Sequence, residues 1–221
     1  MKNIVIGSAR IDEKGRTSGG LDGDQKQTTS PDYKGEVSLQ PFYIHKLGWI
    51  ILRPVDNSIA EKIAFSMQRA CDNNKVGYNQ SKRTMIIKDG TDSKKKTSCD
   101  CGTLVRRCVI EGAGVDAGNF TTANEVQALS KTGLFTIHEY KKGEPVYKGD
   151  ILVTKTKGHT VIVVYSNCVR ETSTKKTVDD IAREVIKGKW GVGAARRMML
   201  QMHGYDFGEV QGRVNEILRG M

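Results

Sequence analysis

Two residues of this chain have the type and the setting for covalent chemistry. Cys101 heads the run CGTLVRRCVIEGAG, in which Cys101, Leu104, Val105, Cys108 and Val109 fall on one stripe of a helix, with Asp100 as its cap and Gly112 as its stop. A thiol in the first turn of a helix faces unpaired backbone amides and the positive end of the dipole, which would favour the thiolate and lower its pKa. His159 follows Gly158 at the head of the strand-like run TVIVVY, from which an imidazole can project toward a helix packed on the sheet. A thiol and an imidazole so held would do nucleophilic acyl transfer, one attacking and the other moving the proton.

Spacing alone leaves other readings open. A cysteine in an apolar helical stripe is also an ordinary small core residue. Cys99, Cys101 and Cys108 cluster within ten residues, but C-x-C-x6-C lacks the paired C-x-x-C spacing of a structural zinc site, and no histidine lies nearby in sequence. Together with Cys71 and Cys168 they make an odd, sparse set of five, which argues against a disulfide scaffold. His45, His138 and His203 lie in no comparable setting and read as surface or packing residues.

The elements that must position the pair follow from pattern. Residues 14–35 hold five glycines and hardly an apolar side chain, so they read as a long loop. Two strand-like runs follow, around Val37 to Ile44 and Trp49 to Leu52, with Pro54 closing the second. A helix is predicted from Ser58, capped by that serine with Glu61 reaching back, and Ile59, Ile63, Met67 and Ala70 form its apolar face. After the Cys101 helix and a helical patch near Ala123 to Leu129 come strand-like runs at Asp150–Val153 and Gly158–Tyr165. Helices followed by an antiparallel sheet make an α+β pattern. The polar segment 171–176 reads as a linker, which makes 1–170 one domain and 177–221 a second. In that tail Thr177 with Asp180, then the break GKWGVG, then Asp206 with Glu209 delimit three short helices.

The formal net charge is +10, and the tail from Thr177 contributes seven basic and six acidic residues, so nearly all the excess belongs to the larger part. An anionic partner is expected. Nucleic acid is one candidate, suggested by the Lys94 to Lys96 run, but aromatic residues are only 6% of the chain and no stacking platform interleaves with those lysines, so a solvated loop is the simpler reading. No stretch approaches the ~18 uncharged apolar residues of a membrane span. The N-terminal apolar run is too short for a secretory signal, so the chain is expected to stay in the cytoplasm until released.

The motifs DCGTLV and GHTVIVV resemble the nucleophile and histidine motifs of NlpC-like papain-fold peptidoglycan hydrolases, particularly the amidase/endopeptidase domains of bacteriophage lysins. Tyr78 in VGYNQSKR matches the tyrosine those enzymes carry ahead of the nucleophile, and KGDILV matches the Gly-Asp turn before the histidine strand. Gly102 stands where the family usually has serine. The tail resembles the Cpl-seven cell-wall-binding repeat of phage lysins nearly end to end, through IAREVI, GKWG, GYD and VNEIL. The resemblance implies a papain-like catalytic domain of helices packed on an antiparallel sheet, followed by a small three-helix bundle.

What the resemblance implies for function is hydrolysis of an amide in the peptidoglycan stem peptide, with Cys101 as nucleophile, His159 as acid and base, and no cofactor or metal. Tyr78 and Gln25 are candidates to hold the oxyanion beside the Cys101 amide. The group that orients the imidazole is expected on the strand after the histidine strand, at Asn167 or Glu171. Asp180, Trp190, Arg196 and Tyr205 would line the repeat's muropeptide groove, although each also suits a cap, a core, a solvated charge or a turn. The basic catalytic part suits anionic wall polymers, and self-association would compensate the weak affinity of a single repeat. A cytoplasmic wait for a pore, then action at the wall, is the implied location. An intracellular cysteine protease or deamidase of the same fold is the rival, but it leaves the tail unexplained.

Overall fold

The structure is a computed structural model that describes residues 3–170 and 176–220. It divides into two compact units, Met1–Arg170 and Glu171–Met221. In chain order the first unit holds β1 (Ile4–Ala9), β2 (Val37–Pro41), β3 (Trp49–Pro54), α1 (Asn57–Cys71), β4 (Val76–Tyr78), α2 (Met85–Asp89), β5 (Thr97–Cys99), α3 (Cys101–Ala113), α4 (Glu125–Ser130), β6 (Phe135–Glu139), β7 (Ile151–Thr154) and β8 (Thr160–Ser166). The second holds α5 (Val178–Ile186), α6 (Gly193–Met202) and α7 (Phe207–Arg219).

Six strands form one antiparallel sheet in the order β2-β1-β8-β7-β3-β6, and β4 and β5 form a separate parallel pair. The fold is therefore α+β, as expected. Strand β8 explains how the sheet is held. Its β-branched residues alternate between faces: Ile162 and Val164 join the core under α1 and α3, while Val161 and Val163 join Trp49, Ile51 and Leu152 on the other face. Both faces are covered, so the run is continuously apolar. The N-terminal IVIGSA is likewise a strand, β1, beside β8, an assignment that pattern reading missed because the run is short and ends in small residues.

Helix boundaries differ from expectation at two informative places. Helix α1 is capped by Asp56, whose carboxylate accepts from the Ile59 amide at 3.0 Å, so Ser58 and Glu61 lie inside the helix rather than forming its cap. Gly112 does not stop α3. The helix runs on to the left-handed Gly114, and Gly112 lies against α1, where a Cβ would come within 2.6 Å of Ile63 Cγ1 and 2.9 Å of its amide nitrogen. A close crossing of two helices requires glycine there.

The loop 10–36 has no regular structure, but carboxylates order it. Asp24 accepts from the amides of Lys26, Gln27, Glu36 and Val37, and Glu36 accepts from Gln25 and from Tyr78 on β4. Such bonds supply what a loop without apolar side chains lacks. Burial pushes the Glu36 carboxyl up to about 7. The turn before β7 is also structural: Asp150 is fully buried, takes a two-pronged contact from Arg53 with the shorter arm at 2.8 Å, and accepts from the Tyr147 amide.

In the second unit Ile181, Ala182, Val185, Trp190, Leu200, Val210 and Val214 make the core between α5, α6 and α7. Thr177 and Asp180 cap α5 reciprocally, and Asp206 caps α7 through the Glu209 amide. Most of the expected linker, including Glu171, lies outside the described residues.

Candidate active site

Cys101 owes its position to a change of backbone direction at Asp100. Strand β5 ends at Cys99, and Asp100 turns the chain into α3 with a reciprocal cap: its Oδ1 accepts from the Thr103 amide at 2.7 Å, while its own amide donates to Thr103 Oγ1 at 3.0 Å. Arg83 locks the other carboxylate oxygen at 2.6 Å and reaches Phe120 O and Asn119, so one guanidinium ties the helix start to the loop at the cleft rim. Cys101 is thereby the first helical residue, and it is partly exposed.

The expected low thiol pKa is not what the surroundings dictate. Burial, then Asp100, then Glu125 push Cys101 up to about 12, against the backbone amides of Thr160 and Gly102 directed at its sulfur. Helix-end stabilisation is real, but the cap carboxylate that creates this helix end is itself a nearby negative charge. The resting pair is therefore a thiol with a neutral imidazole.

His159 stands just ahead of β8. Its amide donates to Thr154 Oγ1 at 3.0 Å and its carbonyl accepts from the Thr154 amide, which closes the 155–158 loop behind it. Ring nitrogen Nε2 lies 3.3 Å from Ser8 Oγ on β1, the strand paired with β8. Burial, with the positive neighbours His45 and Arg10, lowers the imidazole to about 4.

Asn167 cannot orient this ring. It lies beyond the opposite end of β8, exposed, with its amide donating to Asn3 O, and seven strand residues at about 3.3 Å each separate it from the His159 end. The other candidate, Glu171, is outside the described residues. The neighbouring strand that reaches the ring comes from the start of the chain, and Ser8 is its contact.

Cys101 and His159 line one cleft of about 480 Å³, together with Ala9, Arg10, Thr17, Tyr78, Gln80, Asp100, Gly102, Thr121, Thr122, Lys157 and Gly158. Tyr78 is buried, with its hydroxyl 3.0 Å from both Thr17 O and Gln80 Oε1, and burial followed by the nearby Cys101 raises its pKa. Gln25 is a correction: its side-chain amide donates to Asp22 O and Gly23 O within its own loop, and it does not line the cleft. Gln80, two residues after Tyr78, is the glutamine that does. A serine at position 102 would fit, since a Cβ there finds nothing closer than 3.7 Å.

Behind the cleft lies a buried carboxyl absent from the sequence reading. Glu125 is fully buried at the start of α4, accepts from Thr160 Oγ1 at 2.7 Å through Oε1, and leaves Oε2 without a hydrogen-bond partner. Burial pushes it up to about 8. Of the four remaining thiols, Cys71, Cys99 and Cys108 are buried in the main core, where burial raises the pKa of each, and Cys168 is partly exposed beyond β8.

Of the residues expected to bind wall material, Trp190 is 8% exposed, donates to Glu184 Oε2 at 3.1 Å, and meets Tyr205 edge-on at 6.2 Å between ring centres. Tyr205 donates to Lys176 O. Asp180 Oδ2 is engaged by Thr177, and Arg196 donates to Gly191 O and Gln211 Oε1. Trp190 and Tyr205 are thus neighbours, while Asp180 serves the cap of α5.

No helix among the described residues is long and apolar enough to cross a membrane. A family model for an endolysin-like domain matches residues 6–170, and a model for the CW_7 repeat matches residues 179–218. Searches of the curated proteins and of the solved structures return no match.

Proposed function

Since the chain belongs to the endolysin-like domain family and ends in a CW_7 repeat, a pairing that makes it a cell-wall-targeted lysin, we propose that it hydrolyses an amide of the peptidoglycan stem peptide through Cys101 and His159. The observation that carries this reading is the shared cleft: it is lined by both the thiol at the first turn of α3 and the His159 imidazole, whose Nε2 is 3.3 Å from Ser8 Oγ.

The contact at Nε2 leaves Nδ1 for exchange with the sulfur. With the thiol up at about 12 and the imidazole down at about 4, the proton moves as attack proceeds rather than beforehand. Neutral His159 takes the thiol proton as Cys101 attacks the carbonyl carbon, then gives it to the departing amine. Water, deprotonated by His159, hydrolyses the thioester and regenerates the thiol. The Cys101 amide, with Tyr78 or the Gln80 side chain at the cleft wall, would stabilise the oxyanion. Arg83 and Ser8 are positioning residues in this scheme.

A thiol at the start of a helix and an imidazole just ahead of a sheet strand, lining one cleft, support the papain-like reading. Here the strand beyond the histidine strand is supplied by β1, ahead of the nucleophile in sequence. The repeat would hold the enzyme on muropeptide, with Trp190 and Tyr205 as the aromatic contacts, and the basic first unit would favour an anionic wall at low salt. A phage protein that waits in the host cytoplasm fits this reading.

The test is turbidity loss of purified walls. Cys101→Ala should abolish lysis while leaving sedimentation with walls intact, a thiol alkylator should inactivate the wild type, and a chelator should not. Retained lysis by Cys101→Ala sinks the assignment, and loss of activity with chelator would favour a zinc amidase. Mass spectrometry of the released fragments identifies the bond cut.

A further inference from the structure

Beside the sulfur and the imidazole, the cleft holds a cation that the hydrolysis does not use. Arg10 follows β1 directly, so the strand that brings Ser8 to His159 also delivers this side chain to the cleft. Its guanidinium is gripped by neutral acceptors only: Nη2 donates to Ser38 Oγ at 2.7 Å and Gly35 O at 3.2 Å, and Nη1 to Gln40 Oε1 at 3.4 Å. Nε is buried with no hydrogen-bond partner. Arg16, Arg53, Arg69, Arg83, Arg106 and Arg107 each pair with a carboxylate, whereas Arg10 has none among the described residues.

Lys157 lines the same cleft and also has no ion pair among the described residues. Asp100, the acidic member of the lining, is already spent on Arg83 and the α3 cap. The cleft therefore carries two uncompensated positive charges beside the nucleophile. A guanidinium held rigid, partly desolvated and without a counter-charge is costly on its own, and that cost is relieved when a planar anion accepts its charge-assisted bonds.

We propose that Arg10, assisted by Lys157, forms a carboxylate subsite that reads a free carboxylate on the peptide near the scissile amide. The inference rests on the hydrolase reading above. It makes the α-carboxyl of the stem glutamate a specificity element, so that walls in which this group is amidated are poor substrates. A peptide carboxylate is favoured over wall phosphate as the occupant because the charge sits within the reacting cleft and not on an outer face.

The experiment compares matched peptidoglycan preparations, one with free and one with amidated glutamate α-carboxyl groups, and follows new amine release. Wild type should cut the free form at least about tenfold faster, the range of one charge-assisted bond. Arg10→Met should reduce that ratio to near one through loss on the free form alone, Arg10→Lys should retain part of it, and Lys157→Ala should lower it severalfold. A merely structural Arg10 would depress both substrates equally, with a lowered melting temperature. If Arg10→Met does not fold, the wild-type ratio and the exposed Lys157→Ala variant decide the matter. Equal cutting by wild type, or an unchanged preference in Arg10→Met, overturns the subsite while leaving the hydrolase reading in place if Cys101→Ala is inactive. Activity in Cys101→Ala would instead remove that reading.

Discussion

Glu125→Gln separates a buried carboxyl's charge from its shape. In the fold, Glu125 is fully enclosed, donor to none and acceptor from Thr160 Oγ1, and burial moves its ionisation from 4.5 to about 8. The unfolded chain ionises this group near its ordinary value, so between those two pH values folding takes up a proton. The corresponding stability is fully present below 4.5 and is lost as pH rises toward 8. Each pH unit in that window is worth about 1.4 kcal/mol, so from pH 5 to pH 8 the loss is on the order of 4 kcal/mol. Glutamine keeps the acceptor for Thr160 and puts an amide nitrogen where Oε2 has no partner, a pH-independent cost of about 1–3 kcal/mol. Urea unfolding of both proteins at pH 5 and pH 8 isolates the titration, because every other group cancels in the difference. The gap between variant and wild type should swing by several kcal/mol in the variant's favour at the higher pH. Parallel stability profiles would refute the claim that a neutral carboxyl lies behind the nucleophile.

Three further outcomes follow from the same structure. His159 acts as a base only when neutral, and with burial, His45 and Arg10 lowering it to about 4, kcat/KM on a soluble muropeptide should fall only as pH approaches that value; a midpoint at the ordinary 6.5 would contradict a desolvated imidazole. Gly112→Ala should destabilise the first unit by about 1–3 kcal/mol in denaturant, despite alanine's better helix propensity, because the added methyl meets Ile63; unchanged or improved stability would show that α1 and α3 do not cross so closely. Trp190→Ala should cost the second unit about 3–5 kcal/mol and remove wall sedimentation while soluble substrate is still cut. Loss of both functions together would contradict independent units.

Local signals carried the sequence reading where chemistry was local. The Asp100 cap, the apolar stripe from Leu104 to Val109, the β-branched run after His159 and the caps at Thr177 and Asp206 are each a few residues long, and each stands as the pattern implies. Pairing across the chain left no such trace. Ser8 reaches His159 and Arg10 reaches the cleft because β1 lies beside β8, about 150 positions away, and nothing in IVIGSAR announces that neighbour. The resemblance puts the orienting group on the strand after the histidine strand, at Asn167 or Glu171, but β8 carries Asn167 to the end away from His159. The thiol argument fails for a related reason: the helix end and the Asp100 cap are visible in sequence, whereas the enclosing core, whose burial of the sulfur is the largest effect, is not. Gln25 and Gln80 are both glutamines near expected motifs, and only tertiary packing chooses between them.

The most direct measurement is lytic activity plotted against the fraction of Cys101 alkylated, with peptide mapping to place the label. Slow modification is expected near neutral pH, since burial and then the Asp100 charge keep the thiol protonated. Activity should decline in strict proportion to labelling at Cys101, with Cys71, Cys99 and Cys108 untouched in the core. Full lysis by protein whose Cys101 is completely blocked would contradict the account.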